Sequence, residues 1–182
     1  SSKFMSSGGV GLTYNDGKSY FGFSVDKLEG VYGNPGPEGE ENMTSLNPTK
    51  NTINFQSSIS LNSAYFNKFN LQGTVSEYNH SERTGSGNNH NINFFSDLYE
   101  IKTSLNHNSF IDSNSSGLIG FHFQNYDQGA LGQEESHLVH TRTSSFALFA
   151  LENFNFDLFD LDVGARVESV NLKNTSEEKG FF

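Results

Sequence analysis

Hydrophobic and polar residues alternate along most of the chain, and this is the pattern of β-strands whose two faces meet different surroundings. The pattern is clearest over residues 143–168. The second half of this stretch has two unlike faces. One is apolar and consists of Leu161, Val163, Ala165 and Val167. The other is polar and consists of Asp162, Gly164, Arg166 and Glu168. A strand with charges on one face suits a wall between lipid and water better than a dry core. We place Phe149 and Leu151 in the same lipid-facing stripe as Val163 and Val167.

The same alternation recurs and predicts about eight strands. The expected connections are short near residues 15, 65, 112 and 158, and long near residues 40, 87, 134 and 175. Asp16-Gly17 marks the first short turn as a hairpin. Since proline lacks a donor for the ladder, strands are expected to stop before Pro35 and to restart after Pro48. Alternating short and long connections are typical of outer-membrane barrels, whereas the soluble alternative is a β-sandwich or jelly roll.

Composition agrees with half-polar strands rather than with a conventional core. Only 34% of the 182 residues are hydrophobic, yet 18 of them are Phe. The chain has no cysteine, which excludes disulfides and thiolate metal sites, and its formal charge of −10 argues against a nucleic-acid partner. The sequence has no apolar run of 18 residues, so it does not predict a transmembrane helix. The start, SSKFMSSGG, lacks a signal-peptide pattern, so we expect a processed chain or an internal piece of a longer one.

Three stretches resemble the barrel of TonB-dependent outer-membrane receptors, particularly the zinc-uptake receptors. They are SSGGVGLTYNDGKSYFGFSVDKLEGVYGNPG, then GTVSEYNHSE, and finally LIGFHFQNYDQGALGQEE followed by TSSFALFALENFNFDLFDLDVGARVE. The resemblance implies an all-β fold, an antiparallel transmembrane β-barrel segment supplying about eight strands of a 22-stranded barrel. Residues 1–182 would then be part of one β-barrel domain, with the N-terminal plug and the remaining strands absent from this chain.

The same resemblance implies active transport of a scarce nutrient across the cell outer membrane, either zinc or a metal complex. The expected partners are the TonB complex, reached through the absent plug, outer-membrane lipid and lipopolysaccharide, and the extracellular metal or metal chelate. Zinc would be cargo, and no resident cofactor is expected. Zinc receptors carry a His-rich segment after the Pro-Gly loop, but residues 38–51 contain no His. The substrate therefore stays open between zinc, a siderophore and haem.

Histidines and glutamates gather at the ends of the predicted strands that bear the long loops. Imidazole and carboxylate groups suit Zn²⁺, and groups from separate loops could together capture one ion. The candidate metal ligands are His80, Glu82, His90, Glu134, Glu135, His137 and His140. The alternative is that these are solvated loop residues.

The lumen wall is predicted to contain other polar side chains. We expect His122 to make hydrogen bonds there, and we place Arg166, Glu168 and Glu152 together on its surface, where they either hold the plug or pair with one another. His107 is assigned no role.

Enzyme chemistry has little support in the sequence. Serines are abundant without a GxSxG elbow, and no glycine-rich phosphate loop opens a helix. We therefore expect no enzyme. A second hypothesis is a complete small eight-stranded outer-membrane barrel with a structural or adhesion role. Such a barrel would pair its first strand, near Val10, with its last, near Val163.

Overall fold

The computed structural model describes residues 4–33, 44–83, 91–109, 114–132 and 139–174, and these residues form an all-β structure. The eight strands are β1 (Phe4–Asn15), β2 (Ser19–Gly33), β3 (Ser45–Ser60), β4 (Phe66–Arg83), β5 (Asn91–Asn108), β6 (Ser115–Gly132), β7 (Thr141–Asn155) and β8 (Asp160–Asn174). Each strand pairs antiparallel with the next along the chain, giving one sheet in the order β1 to β8. The predicted eight antiparallel strands are therefore confirmed.

The register of the sheet places chemically similar side chains opposite one another from strand to strand. On one face, Val10 opposes Val25, Val25 opposes Ile53, and Ile53 opposes Val75. We call this the apolar face. On the other, which we call the polar face, the Ser58 hydroxyl donates to Asn70, and the Asn70 amide donates to Asn106 at 2.7 Å. Two-residue alternation in the sequence thus becomes one apolar surface and one hydrogen-bonded surface.

The connections fall at two ends of the sheet. The short-turn end carries the connections at residues 16–18, 61–65, 109–114 and 156–159, and the long-loop end carries those at 34–44, 84–90 and 133–140.

The first hairpin shows why its turn forms where it does. Gly17 has a φ of 84°, which side-chain-bearing residues rarely adopt. Asp16 Oδ1 accepts hydrogen bonds from the backbone amides of Ser19 at 2.6 Å and Lys18 at 2.9 Å. These two bonds, the Ser19 one most, hold the pKa of Asp16 below its ordinary value. The Asp-Gly hairpin predicted from the sequence is therefore confirmed.

Pro48 does not mark a strand boundary, so that prediction is wrong. Strand β3 begins at Ser45 and continues through Pro48, which opposes His80 of β4. On the other side, pairing with β2 passes from Thr49 to Leu46 and omits Pro48 and its neighbour. Because proline has no amide hydrogen, the strand tolerates it by interrupting only the β2 ladder.

The faces assigned to β7 from the sequence are also wrong. Leu148 opposes Phe121 and Val167 on the apolar face, whereas Phe149 opposes Gly120 and Arg166 on the polar face. Leu151 opposes Leu118 and Gly164, so it shares the face of Phe149. β7 is apolar on both sides over this stretch, and only its register with β6 and β8 decides which side faces where.

The sheet does not close on itself within the described residues. β1 pairs only with β2 and β8 only with β7, so both are edge strands. Every residue of β1 and of β8 is exposed. The pairing of Val10 with Val163 expected of a complete small barrel is therefore not found in this part of the chain.

The sheet buries very little hydrophobic surface. Within the described residues, the buried hydrophobic side chains are Leu46 and Ala147, and the register places both on the polar face. On the apolar face Val10, Leu12 and Val167 are more than 70% exposed. No helix in the described parts of the chain is long and apolar enough to cross a membrane.

Candidate functional site

Three of the seven predicted metal ligands lie in the described residues. His80 and Glu82 are on β4 at the long-loop end, and His140 directly precedes β7 at the same end. The other four, His90, Glu134, Glu135 and His137, lie outside the described residues. The full predicted set therefore stays a prediction.

His80 sits on the polar face in an aromatic setting. Its ring stacks on Phe94 with centroids 4.9 Å apart, and it meets the Tyr78 ring edge-on at 6.2 Å. His80 Nε2 is 3.4 Å from Glu82 Oε1. That contact does not meet hydrogen-bond geometry, so the buried Nε2 has no hydrogen-bond partner in the described structure. A buried imidazole nitrogen beside a carboxylate, with its bonding capacity unused, is compatible with an added ligand such as Zn²⁺.

His140 is engaged differently and on the other side of the sheet. Its Nε2 lies 2.5 Å from Asp127 Oδ1, and the ring meets Phe95 edge-on at 5.2 Å. Arg142 donates from Nε and Nη2 to the other oxygen of Asp127. Asp127 opposes Asp97, whose neighbours along β5 include the apolar-face residue Tyr99. The carboxylate thus fixes the imidazole and the guanidinium together on the apolar-face side.

His80 and His140 therefore lie on opposite faces of the sheet. Within the described residues, no group of three or more His, Cys, Asp or Glu side chains is arranged to hold a metal ion. The hypothesis that His80 and His140 share one ion does not fit this geometry. His80 with Glu82 remains the pair to which further ligands could be added.

A charged network crosses the middle of the polar face. His122 Nε2 lies 3.1 Å from Glu100 Oε1, and its Nδ1 lies 3.2 Å from the Arg166 guanidinium. Arg166 also donates to Glu168 at 3.0 Å. Because the guanidinium can only donate, His122 Nδ1 accepts and Nε2 carries the proton. The hydrogen-bonding role predicted for His122 is confirmed.

Glu152 does not belong to that network, so its predicted placement is wrong. It opposes Val163 on the apolar face, and its carboxylate lies 2.9 Å from His107 Nε2. His107 is 1% exposed, and its Nδ1 is 2.9 Å from the Asn108 carbonyl oxygen. Both ring nitrogens of His107 therefore lie within hydrogen-bond distance of oxygen atoms from other residues.

The His107–Glu152 pair was missed from the sequence. These residues come from β5 and β7, which are separated by β6, and they meet over Gly117. The sequence does indicate that His107 needs a partner. In a strand, Thr103, Leu105 and His107 lie on the same face, and an unpaired polar group on an apolar face is costly.

No protein-family model and no curated protein sequence matches this chain. The features of the described residues that bear on function are therefore the two unlike faces of the sheet and the side chains at its long-loop end.

Proposed function

We propose that this chain is part of the barrel of a TonB-dependent outer-membrane receptor that imports zinc or a metal complex. The observation that carries the proposal is the exposed apolar face. A soluble sandwich buries its apolar face against a second layer, whereas here the buried hydrophobic side chains of the described residues lie on the polar face. An apolar surface of this extent needs a cover, and lipid is the cover that suits a single sheet with a wet opposite face.

Strand length also supports a membrane location. A transmembrane β-strand needs about 9–11 residues. β4, β5 and β6 each have 18 residues, enough to cross a bilayer and extend beyond it at one end. The long-loop end would then be extracellular and the short-turn end periplasmic.

The open edges favour a larger barrel over a complete eight-stranded one. β1 with 12 residues and β8 with 15 residues each leave one row of backbone groups without a ladder partner in the described residues. In lipid such groups cost several kcal/mol each, so both edges require neighbouring strands. A small complete barrel would supply them by pairing β1 with β8, and a receptor barrel would supply them from further strands.

The proposed cargo contact is His80 with Glu82. Both face the polar side at the long-loop end, where a lumenal or loop-borne ligand would arrive. Two donors are fewer than the four that Zn²⁺ usually takes in a closed protein site, which suits transient capture of a substrate. His90, Glu134, Glu135 and His137 remain candidates for the additional ligands. Movement of the cargo inward would depend on the plug and on TonB.

The test is zinc binding and zinc-limited growth with the full-length protein. We expect the double variant His80→Ala, Glu82→Ala to lose zinc affinity by calorimetry and to grow poorly when zinc is scarce. His140→Ala is the matched control, because it removes an imidazole from the same end but from the opposite face. Unchanged zinc binding in the double variant would refute the cargo assignment, and a water-soluble protein absent from the outer membrane would refute the location.

A further inference from the structure

His80 differs from the other histidines of the described residues in its distance from a carboxylate. Four histidines lie in this part of the chain. The Nε2 atoms of His140, His107 and His122 lie 2.5, 2.9 and 3.1 Å from a carboxylate oxygen. For His80 the distance from Nε2 to Glu82 Oε1 is 3.4 Å, and no hydrogen bond joins the two atoms. His80 is therefore held away from the carboxylate beside it.

The separation of 3.4 Å between His80 Nε2 and Glu82 Oε1 is that of two ligands on one tetrahedral Zn²⁺ ion. With Zn–N and Zn–O distances of about 2.0–2.2 Å and an angle of about 109°, a nitrogen ligand and an oxygen ligand lie about 3.4 Å apart. A direct hydrogen bond between an imidazole and a carboxylate would bring the two atoms to about 2.7–3.0 Å. The spacing of the pair thus suits a shared ion better than a direct hydrogen bond.

Phe94 sets the position of the His80 ring. It opposes His80 directly in the register of β4 and β5, and the two rings stack with centroids 4.9 Å apart and planes inclined by 28°. The same cross-strand row continues with Pro48 on one side and Ala130 on the other, and neither side chain can form a hydrogen bond. The stack therefore sets the plane of the imidazole, and no side chain in this row offers Nε2 a partner.

We propose that Phe94 is a positioning residue for the pair of His80 and Glu82, because its ring keeps Nε2 at the separation from the carboxylate that a shared Zn²⁺ needs. The inference rests on the proposed function, in which this pair contacts the cargo. Without the stack, the imidazole would be free to turn and to close onto Glu82, as His122 does on Glu100. Zinc would then have to break that hydrogen bond before it could bind.

The next residue of β5 supplies a matched control. Phe95 lies on the opposite face, and its ring meets the ring of His140 edge-on with centroids 5.2 Å apart. His140 already contacts Asp127 through Nε2. Both phenylalanines are half-buried. Replacing Phe95 with leucine therefore removes the same ring from the same end of the same strand, but leaves the stack on His80 in place.

The first measurement needs no zinc. It is nuclear magnetic resonance of the full-length protein with isotope-labelled histidine, in which the signals of the His80 ring are those that His80→Ala removes. We expect Phe94→Leu to shift these signals, because the ring stacked on the imidazole is lost. Phe95→Leu should leave them in place.

The second measurement is calorimetry with Zn²⁺ on the same full-length variants. Phe94→Leu should weaken zinc binding about tenfold or more, which is the loss typical of residues that orient a metal ligand. Phe94→Tyr keeps the stacked ring and should bind zinc as tightly as the unchanged protein. Phe95→Leu should also bind as tightly.

Unmoved His80 signals or an unchanged zinc affinity in Phe94→Leu would overturn the proposal. An equal loss of affinity in Phe95→Leu, or in Phe94→Tyr, would overturn it too, because the loss would then not depend on the stacked ring. If the double variant His80→Ala, Glu82→Ala loses zinc binding while Phe94→Leu retains it, the proposed function stands and the positioning role is wrong. No zinc binding by the unchanged protein would refute both.

Discussion

Replacing Gly117 with alanine should destabilise the sheet much more than the same change at Gly73. A Cβ at this position would overlap the Leu151 carbonyl oxygen and would lie 2.8 Å from His107 Nε2 and 2.9 Å from Glu152 Oε2. The Leu151 oxygen belongs to the backbone, the His107 ring is buried, and the half-buried Glu152 carboxylate is held by its contact with His107. The missing side chain of Gly117 is thus the space through which His107 of β5 reaches Glu152 of β7.

The expected cost has two parts. Overpacking a well-filled site costs about 1–3 kcal/mol. Separating a buried hydrogen bond to a charged group adds about 1.5–3 kcal/mol. We therefore expect Gly117→Ala to lower the free energy of unfolding by roughly 3 kcal/mol or more, which is the lower part of the combined range.

The assay is equilibrium urea unfolding of the full-length protein in detergent micelles, followed by far-ultraviolet circular dichroism. Gly73→Ala is the matched control, because a Cβ there would meet only the Glu100 carbonyl oxygen, at an ordinary 3.7 Å. Since glycine in a strand costs about 0.5–1 kcal/mol relative to alanine, that control should be neutral or slightly stabilising. Equal urea midpoints for the two variants would refute the reasoning.

Three further predictions concern the first turn and the polar face. Asp16 lies in a turn outside the strands, and its pKa is lowered, so the carboxylate stabilises the turn fully above its ordinary pKa and stops doing so as pH falls through the lowered pKa. Hydrogen exchange of the Lys18 and Ser19 amides should therefore speed up only in strong acid. Unchanged protection of these two amides in strong acid would contradict the prediction. Gly17→Ala should cost about 1–2 kcal/mol in urea unfolding, because φ is 84°, and no loss would show that the turn relaxes. Arg166→Met should change the same unfolding by less than about 1 kcal/mol, because its ion pair is exposed, and a larger loss would show that the network is structural.

The sequence was sufficient for the strand count and for the first hairpin, because both depend on local chemistry. Period-two alternation marks a strand wherever its two faces differ, and Asp-Gly marks a turn by its backbone preference. Strand β8 shows this well: its apolar and charged faces were predicted correctly, since Arg166 and Glu168 cannot be confused with Val163 and Val167.

The prediction of which residues lie on which face was wrong where both sides of a strand are apolar. Phe149 and Leu148 are equally hydrophobic, and only pairing with Gly120 and Phe121 of β6 assigns each to its face. Register is a property of neighbouring strands, and a one-residue shift reverses every side chain. The same limit explains the wrong placement of Glu152, because the register of β7 with its neighbours sets the face on which Glu152 lies.

The candidate site was predictable only as a set of residue types. Their positions in the sequence placed His80 and His140 at one end of the sheet. The face of His80 depends on the alternation of side chains along β4, and that of His140 depends on its contact with Asp127. The buried Nε2 of His80 could not have been foreseen, because it results from stacking on Phe94 of the neighbouring strand.

The central claim is that the apolar face meets lipid and the polar face meets water, and adjacent residues of β7 test it most directly. The chain has no cysteine, so a single nitroxide label can be placed at Leu148→Cys or at Phe149→Cys in the full-length protein, provided that the rest of that protein contributes no reactive thiol. After reconstitution in bilayers, the label at position 148 should collide with oxygen and the label at 149 with a water-soluble nickel chelate. Equal exposure of both labels to the chelate, or the reverse order, would contradict the account.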